Sequence, residues 1–130
     1  MTNVKDGLYY TKEHEWVRID GDNATVGISD HAQELLTDIV FVELPNVGTN
    51  VEQGKPACVV ESVKSVSDVY APVGGTISEV NLELENAPEL VNNDAFGDGW
   101  IFKLSGTNAE ELNNLMDADA YREFIANENH

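Results

Sequence analysis

A single cysteine, Cys58, serves the whole chain of 130 residues, so no disulfide can form within it. That fits a reducing compartment. Cys58 lies in the apolar run "ACVVESV", which reads as core packing rather than as a nucleophile. Basic residues are also scarce: 7 Lys and Arg stand against 24 Asp and Glu, a formal charge of −17. Such a surface repels phosphate backbones, which argues against nucleic-acid partners. It suits solubility and steered encounters with basic partners. No apolar run approaches the roughly 18 residues of a membrane span, and the start, "MTNVKDG", is polar and shows no secretory or transit signal. The expectation is a soluble protein of the bacterial cytoplasm, or of the mitochondrial matrix if the chain is a mature eukaryotic form.

Enzyme signatures are missing too. There is no G-x-S-x-G, no phosphate-binding G-x-x-x-x-G-K-[ST], no H-E-x-x-H and no C-x-x-C. "GDGW" is too short for a dinucleotide fingerprint and reads as a turn. His14, His31 and His130 are scattered without metal-ligand spacing. Glu13, His14 and Glu15 adjoin, but strand neighbours point to opposite faces, so no metal site is expected.

What is present reads as many short strands. "LYYTKEHEWVRIDGDNATVGIS" is a hairpin that turns at "DGDN", with Trp16 inward and Ile19 joining it after a register adjustment. "SDHAQELLTDI" changes period: Ala32, Leu35, Leu36 and Ile39 fall at i, i+3, i+4 and i+7 of a helix. Asp30 or Ser29 caps it, with Gln33 supporting Asp30 in a capping-box arrangement. "IVFVELP", "ACVVESV", "SVSDVYA", "TISEVNLEL" and "WIFKLS" follow as strands, and "ENAPELVNNDAFGDGW" as an irregular segment. Residues 107–127 are helical, with Thr107 and Glu110 as a capping box and Asp117 able to cap a second helix. Leu112, Leu115 and Met116 form one apolar face; Tyr121, Phe124 and Ile125 form another. Two segments, 38–51 and 68–80, share a pattern of Asp, apolar residues, Pro, then Val, Gly and Thr, a faint internal repeat. The length suits one domain, residues 1–130, and the pattern suits a small β sandwich or flattened barrel with appended helices.

The segment "VVESVKSVSDVY", residues 59–70, nearly mirrors itself about Lys64 and Ser65. Folding there would pair Val63 with Val66, Ser62 with Ser67, Glu61 with Asp68, Val60 with Val69 and Val59 with Tyr70. Tight hairpins favour glycine or asparagine at the tip; this one offers Lys-Ser. A tip lysine is commonly no more than a solubilising residue. Here, however, the arms specify the tip closely, turn propensity is sacrificed, and Lys64 is the only basic residue between Lys55 and Lys103. A displayed primary amine of this kind is one that a modifying enzyme can find and acylate.

"VVESVKSVSDVYAPVGGTISEVN", with the "HEW" and "GDGW" motifs in order around it, resembles the lipoyl-attachment region of the glycine cleavage H-protein family. The resemblance runs from about Leu8 to the C-terminal helices. It implies a mainly β fold, the flattened barrel-sandwich hybrid of lipoyl domains, with one internal helix and C-terminal helices. It implies lipoate in amide linkage on Lys64 and a carrier that catalyses nothing itself. The arm would take an aminomethyl group from glycine decarboxylase (P protein) to the folate-dependent aminomethyltransferase (T protein). Dihydrolipoyl dehydrogenase (L protein) would then reoxidise it. A lipoate ligase or lipoyl transferase would load it. The resemblance also points to Glu15 and Asp68 as the acids that dock the loaded arm. Four other readings stay open on the residues alone: a biotinyl domain, although methionines do not flank Lys64; a lipoyl carrier of another pathway; a Schiff-base lysine, which an exposed tip disfavours; and an unmodified acidic interaction module.

Overall fold

The computed structural model describes residues 3–128; His130 lies outside them. Among the described residues, nine strands form two antiparallel sheets. They are β1 (Tyr9–Tyr10), β2 (Glu15–Asp20), β3 (Asn23–Ile28), β4 (Ile39–Glu43), β5 (Asn50–Val51), β6 (Pro56–Ser62), β7 (Val66–Tyr70), β8 (Gly75–Val80) and β9 (Phe102–Ser105). The larger sheet has the order β1-β2-β3-β9-β8-β5 and the smaller β4-β6-β7; neither closes on itself. Alternation places Val17, Val26, Ile77 and Leu104 of the large sheet against Val42, Val60 and Val69 of the small one, in a common buried core. Cys58 belongs to this core, and burial pushes its thiol up to about 12, so it packs as an inert apolar group.

The other face of the β1-β2 end is also covered. Helix α3 (Ala118–Glu128) lies over it and builds a second core from Leu8, Tyr10, Trp16, Ala118, Tyr121 and Ile125. Tyr10 and Tyr121 stack with ring centroids 4.3 Å apart. Trp16 and Val17 are therefore both fully buried on opposite faces of one strand. The β2-β3 pairing is continuous from Glu15 to Asp20. No register adjustment turns Ile19 toward Trp16, contrary to expectation; Ile19 packs on the main core with Val17.

Helix α1 (Asp30–Leu36) is capped by Ser29, whose hydroxyl accepts from the Ala32 amide at 3.1 Å. Asp30 is the first helical residue rather than the cap, so no Asp30–Gln33 capping box forms; Gln33 instead donates to the Asp30 carboxylate at 2.8 Å. Ala32 is buried but Leu35 is half exposed, and Ile39 already belongs to β4. "TISEVNLEL" is strand only to Val80. Asn81 then donates to the Asp98 and Trp100 carbonyls and caps a 3-10 turn, Leu82–Glu85. The following irregular segment contains one helical turn, α2 (Leu90–Asn93).

At the C-terminus Asn108, not Thr107, caps a 3-10 helix, Ala109–Asn114, and Thr107 instead donates to the Asp22 carbonyl. Asp117 caps α3 through the Ala120 amide. The faint repeat has a structural counterpart. β4 and β7 flank β6 on either side, and the strands after them, β5 and β8, pair with each other at Asn50–Thr76 and Val51–Gly75.

Candidate functional site

The β6-β7 hairpin forms, but with a register two residues from the mirrored pairing. Val59 faces Asp68, Val60 faces Ser67, Glu61 faces Val66 and Cys58 faces Val69; a bulge follows, with Pro56 opposite Tyr70. Glu61 and Asp68 are thus not the direct like-charge pair expected from the mirror. The tip residues become Val63 and Lys64, closed by a Ser62 amide to Ser65 carbonyl bond of 2.8 Å. No residue of this tip has positive φ. The Ser62 hydroxyl replaces the missing glycine: it accepts from the Ser65 amide at 3.1 Å and the Lys64 amide at 3.3 Å. The Val63 amide donates to the Asp38 carbonyl at 3.0 Å, tying the tip to the residue before β4. Lys64 itself is exposed.

Glu15 begins β2 and is 1% exposed. Thr11 Oγ1 donates to its Oε1, and the Tyr70 amide on β7 donates to Oε2 at 3.2 Å. Burial pushes the carboxyl up to about 7, although both donors favour the charged form. The carboxyl lies at the wall of an open cleft of about 550 Å³ between the 11–15 turn, the end of β7 and the C-terminal 3-10 helix; Thr11, Glu13, Gln53, Tyr70 and Leu115 also line it. Gln53 fixes the opposite rim by donating to the Pro72 and Glu111 carbonyls at 2.9 Å each. Asp68 is exposed and does not line the cleft. It sits on the same face of β7 as Tyr70, two residues nearer the tip. The three predicted site residues therefore follow one path: Lys64 at the tip, Asp68 part-way along β7, and Glu15 against its far end.

Thr11, Gln53 and Tyr70 were not foreseen as site residues. Thr11 had a readable signal, because its hydroxyl accepts from the Glu13 and Glu15 amides in a turn that threonine favours. The roles of Gln53 and Tyr70 depend on contacts between distant segments and left no trace in the sequence.

The glycine cleavage H-protein family model matches residues 8–128. A glycine cleavage system H protein of Pseudoalteromonas translucida is 55% identical over 126 residues, covering 96% of this chain and 98% of its own. One from Stenotrophomonas maltophilia is 51% identical over 131 residues, covering both chains fully. The crystal structure of a glycine cleavage system H protein from Mycobacterium marinum superposes with a TM-score of 0.82 at 34% identity, covering 98% of this chain and 100% of that one.

Proposed function

The chain belongs to the glycine cleavage H-protein family, and from that premise we propose that it is a single lipoyl-carrier domain whose arm is attached at Lys64. The observation that carries this reading is the tip itself: one exposed lysine on a turn held rigid by the Ser62 hydroxyl. A rigid base keeps the amine where a lipoate ligase or lipoyl transferase can reach it. It also confines the modified side chain to the volume around one point, which raises its effective concentration at a docked enzyme. Lipoate held on Lys64 would supply the chemistry, a dithiolane able to carry an aminomethyl group from glycine decarboxylase to the folate-dependent aminomethyltransferase and then electrons to dihydrolipoyl dehydrogenase. The chain itself catalyses nothing.

Its residues shelter the cargo. Tyr70 lies about 20 Å along the hairpin from Lys64, at roughly 3.3 Å per residue. An arm folded back along β7 passes Asp68 first and then meets the cleft that Glu15 lines. Both carboxylates suit a protonated amine, and the cleft walls limit water. Thr11 and Tyr70 hold Glu15 in place through its two oxygens.

Intact-mass measurement on protein from a lipoate-competent host tests the attachment. One lipoyl adduct is expected on wild type and none on Lys64→Arg, which stays folded and fails to support glycine cleavage with the partner enzymes. A biotinyl mass, lipoate on Lys55 or Lys103, or full support by Lys64→Arg overturns the reading.

A further inference from the structure

His14, His31 and Glu128 are far apart in sequence, yet they offer three ligating atoms that all lie within 4.8 Å of one another. His14 Nε2 is 3.0 Å and His31 Nε2 3.1 Å from the same Glu128 carboxylate oxygen. The spacing of the histidines gave no hint of this. His14 is not in the strand with Glu15 but in the turn before it, and the side chains meet only because α3 packs across α1 and that turn. We propose that these three side chains bind a divalent transition-metal ion of the zinc class, with water completing its shell.

The donor set has the right chemistry. Two imidazoles and a carboxylate suit zinc, cobalt or nickel better than calcium or magnesium, which take oxygen ligands. Zinc–nitrogen bonds near 2.0–2.1 Å in a tetrahedron place ligand atoms about 3.3 Å apart, close to the two N···O separations here. The movement required falls on Glu128, the last residue of α3, whose side chain is 36% exposed. That exposure also leaves room for water. With neutral imidazoles the set carries one negative charge, complementary to a divalent cation. The two rings lie 4.7 Å apart, close enough for both to face one ion.

The surroundings orient the ligands. His14 Nδ1 lies 2.8 Å from the Tyr121 hydroxyl, which lies 2.7 Å from Ser29 Oγ, the kind of outer contact that fixes a metal-bound imidazole. His31 is held almost fully buried on α1. The His14 backbone has φ of 74°, a region sparsely used by residues with a Cβ and found more often where function holds it. Its amide donates to the Thr11 carbonyl at 3.1 Å, and its carbonyl accepts from the Ser29 amide at 2.9 Å. A bound ion would clasp the C-terminal helix to the turn that leads into β2 at Glu15.

Full-length protein freed of metal by chelation is titrated with Zn²⁺ by calorimetry and with Co²⁺ by visible absorption. The expected result is one saturable equivalent per chain, with Co²⁺ ligand-field bands that excess Zn²⁺ removes. Zn²⁺ should also raise the melting temperature by several degrees, since the folded state alone holds the assembled site. His31→Gln and Glu128→Gln should each weaken affinity at least tenfold and lose the Co²⁺ bands. Glu128→Gln, at an exposed helix end, keeps the test valid if His31→Gln fails to fold. No saturable equivalent in wild type overturns the proposal in favour of a network closed by protons alone. Unchanged affinity in Glu128→Gln overturns it in favour of diffuse binding by the acidic surface.

Discussion

At the residue scale, Glu15 shows how position changes chemistry. A surface glutamate is acceptor and charge together. This one has its oxygens engaged by Thr11 and the Tyr70 amide and faces a cleft. Glu15→Gln keeps the shape and an acceptor oxygen while removing the charge, and Asp68→Asn does the same farther up β7. Both variants are expected to be lipoylated normally. Once loaded, they should release formaldehyde and ammonia faster than wild type in the absence of the transferase. Release at the wild-type rate in both would remove their sheltering role. Gly27 makes a different point. A Cβ there would lie 2.7 Å from the Trp16 ring, and that ring is fully buried with its indole N–H donating to the Ala95 carbonyl at 3.0 Å. Gly27→Ala should therefore destabilise the protein by about 1–3 kcal/mol through overpacking, visible as a lower denaturation midpoint with an altered Trp emission.

At the scale of elements, α3 is the piece on which the N-terminal hairpin depends. It covers the face of Tyr10 and Trp16 that the sheet packing leaves unprotected. A sheet end with an apolar face open to water loses the burial that stabilises it. Deleting residues 117–130 should expose that face. The expected outcome is a clear loss of stability, a red-shifted Trp16 emission and binding of apolar dyes. A truncated chain that melts like wild type would show that the hairpin stands without the helix. The β6-β7 hairpin is the opposite case, a ribbon held along β6 and at its tip. β4 pairs along β6, the Ser62 hydroxyl closes the tip and the Asp38 carbonyl anchors Val63.

For the whole molecule, the charge of −17 surrounds a tip with an apolar collar. Val63 and Val66 are about two-thirds exposed, and Val40 and Phe41 about half. Long-range attraction governs how often a partner meets such a surface, and short-range apolar contact governs how long it stays. The association rate with glycine decarboxylase or the lipoate ligase should fall at least several-fold as salt rises from about 0.02 to 0.3 M, with a much smaller change in dissociation. A salt-independent association rate in stopped-flow would leave the charge a solubility feature only. No helix among the described residues is long and apolar enough to cross a membrane.

Several features were legible in the sequence because they depend on near neighbours. They include the β character of the chain, the Ser29 cap, the Asp117 cap and the hairpin around Lys64. Its register was not legible, for a definite reason. Side chains alternate with a period of two, so a two-residue shift leaves every one of them on the same face. Apolar pattern alone cannot separate the Val60–Val69 pairing from Val60–Ser67; the Ser62 hydroxyl, the β4 ladder and the Asp38 contact decide it. Asn108 displaced Thr107 as a cap in the same way, because the fold brought the Asp22 carbonyl within reach of the threonine. The cleft at Glu15 and the meeting of His14, His31 and Glu128 belong wholly to tertiary structure. Local periodicity records which face a residue occupies, but only the packing of α3 and the end of β7 onto the N-terminal hairpin settles which residues, distant along the chain, come together there.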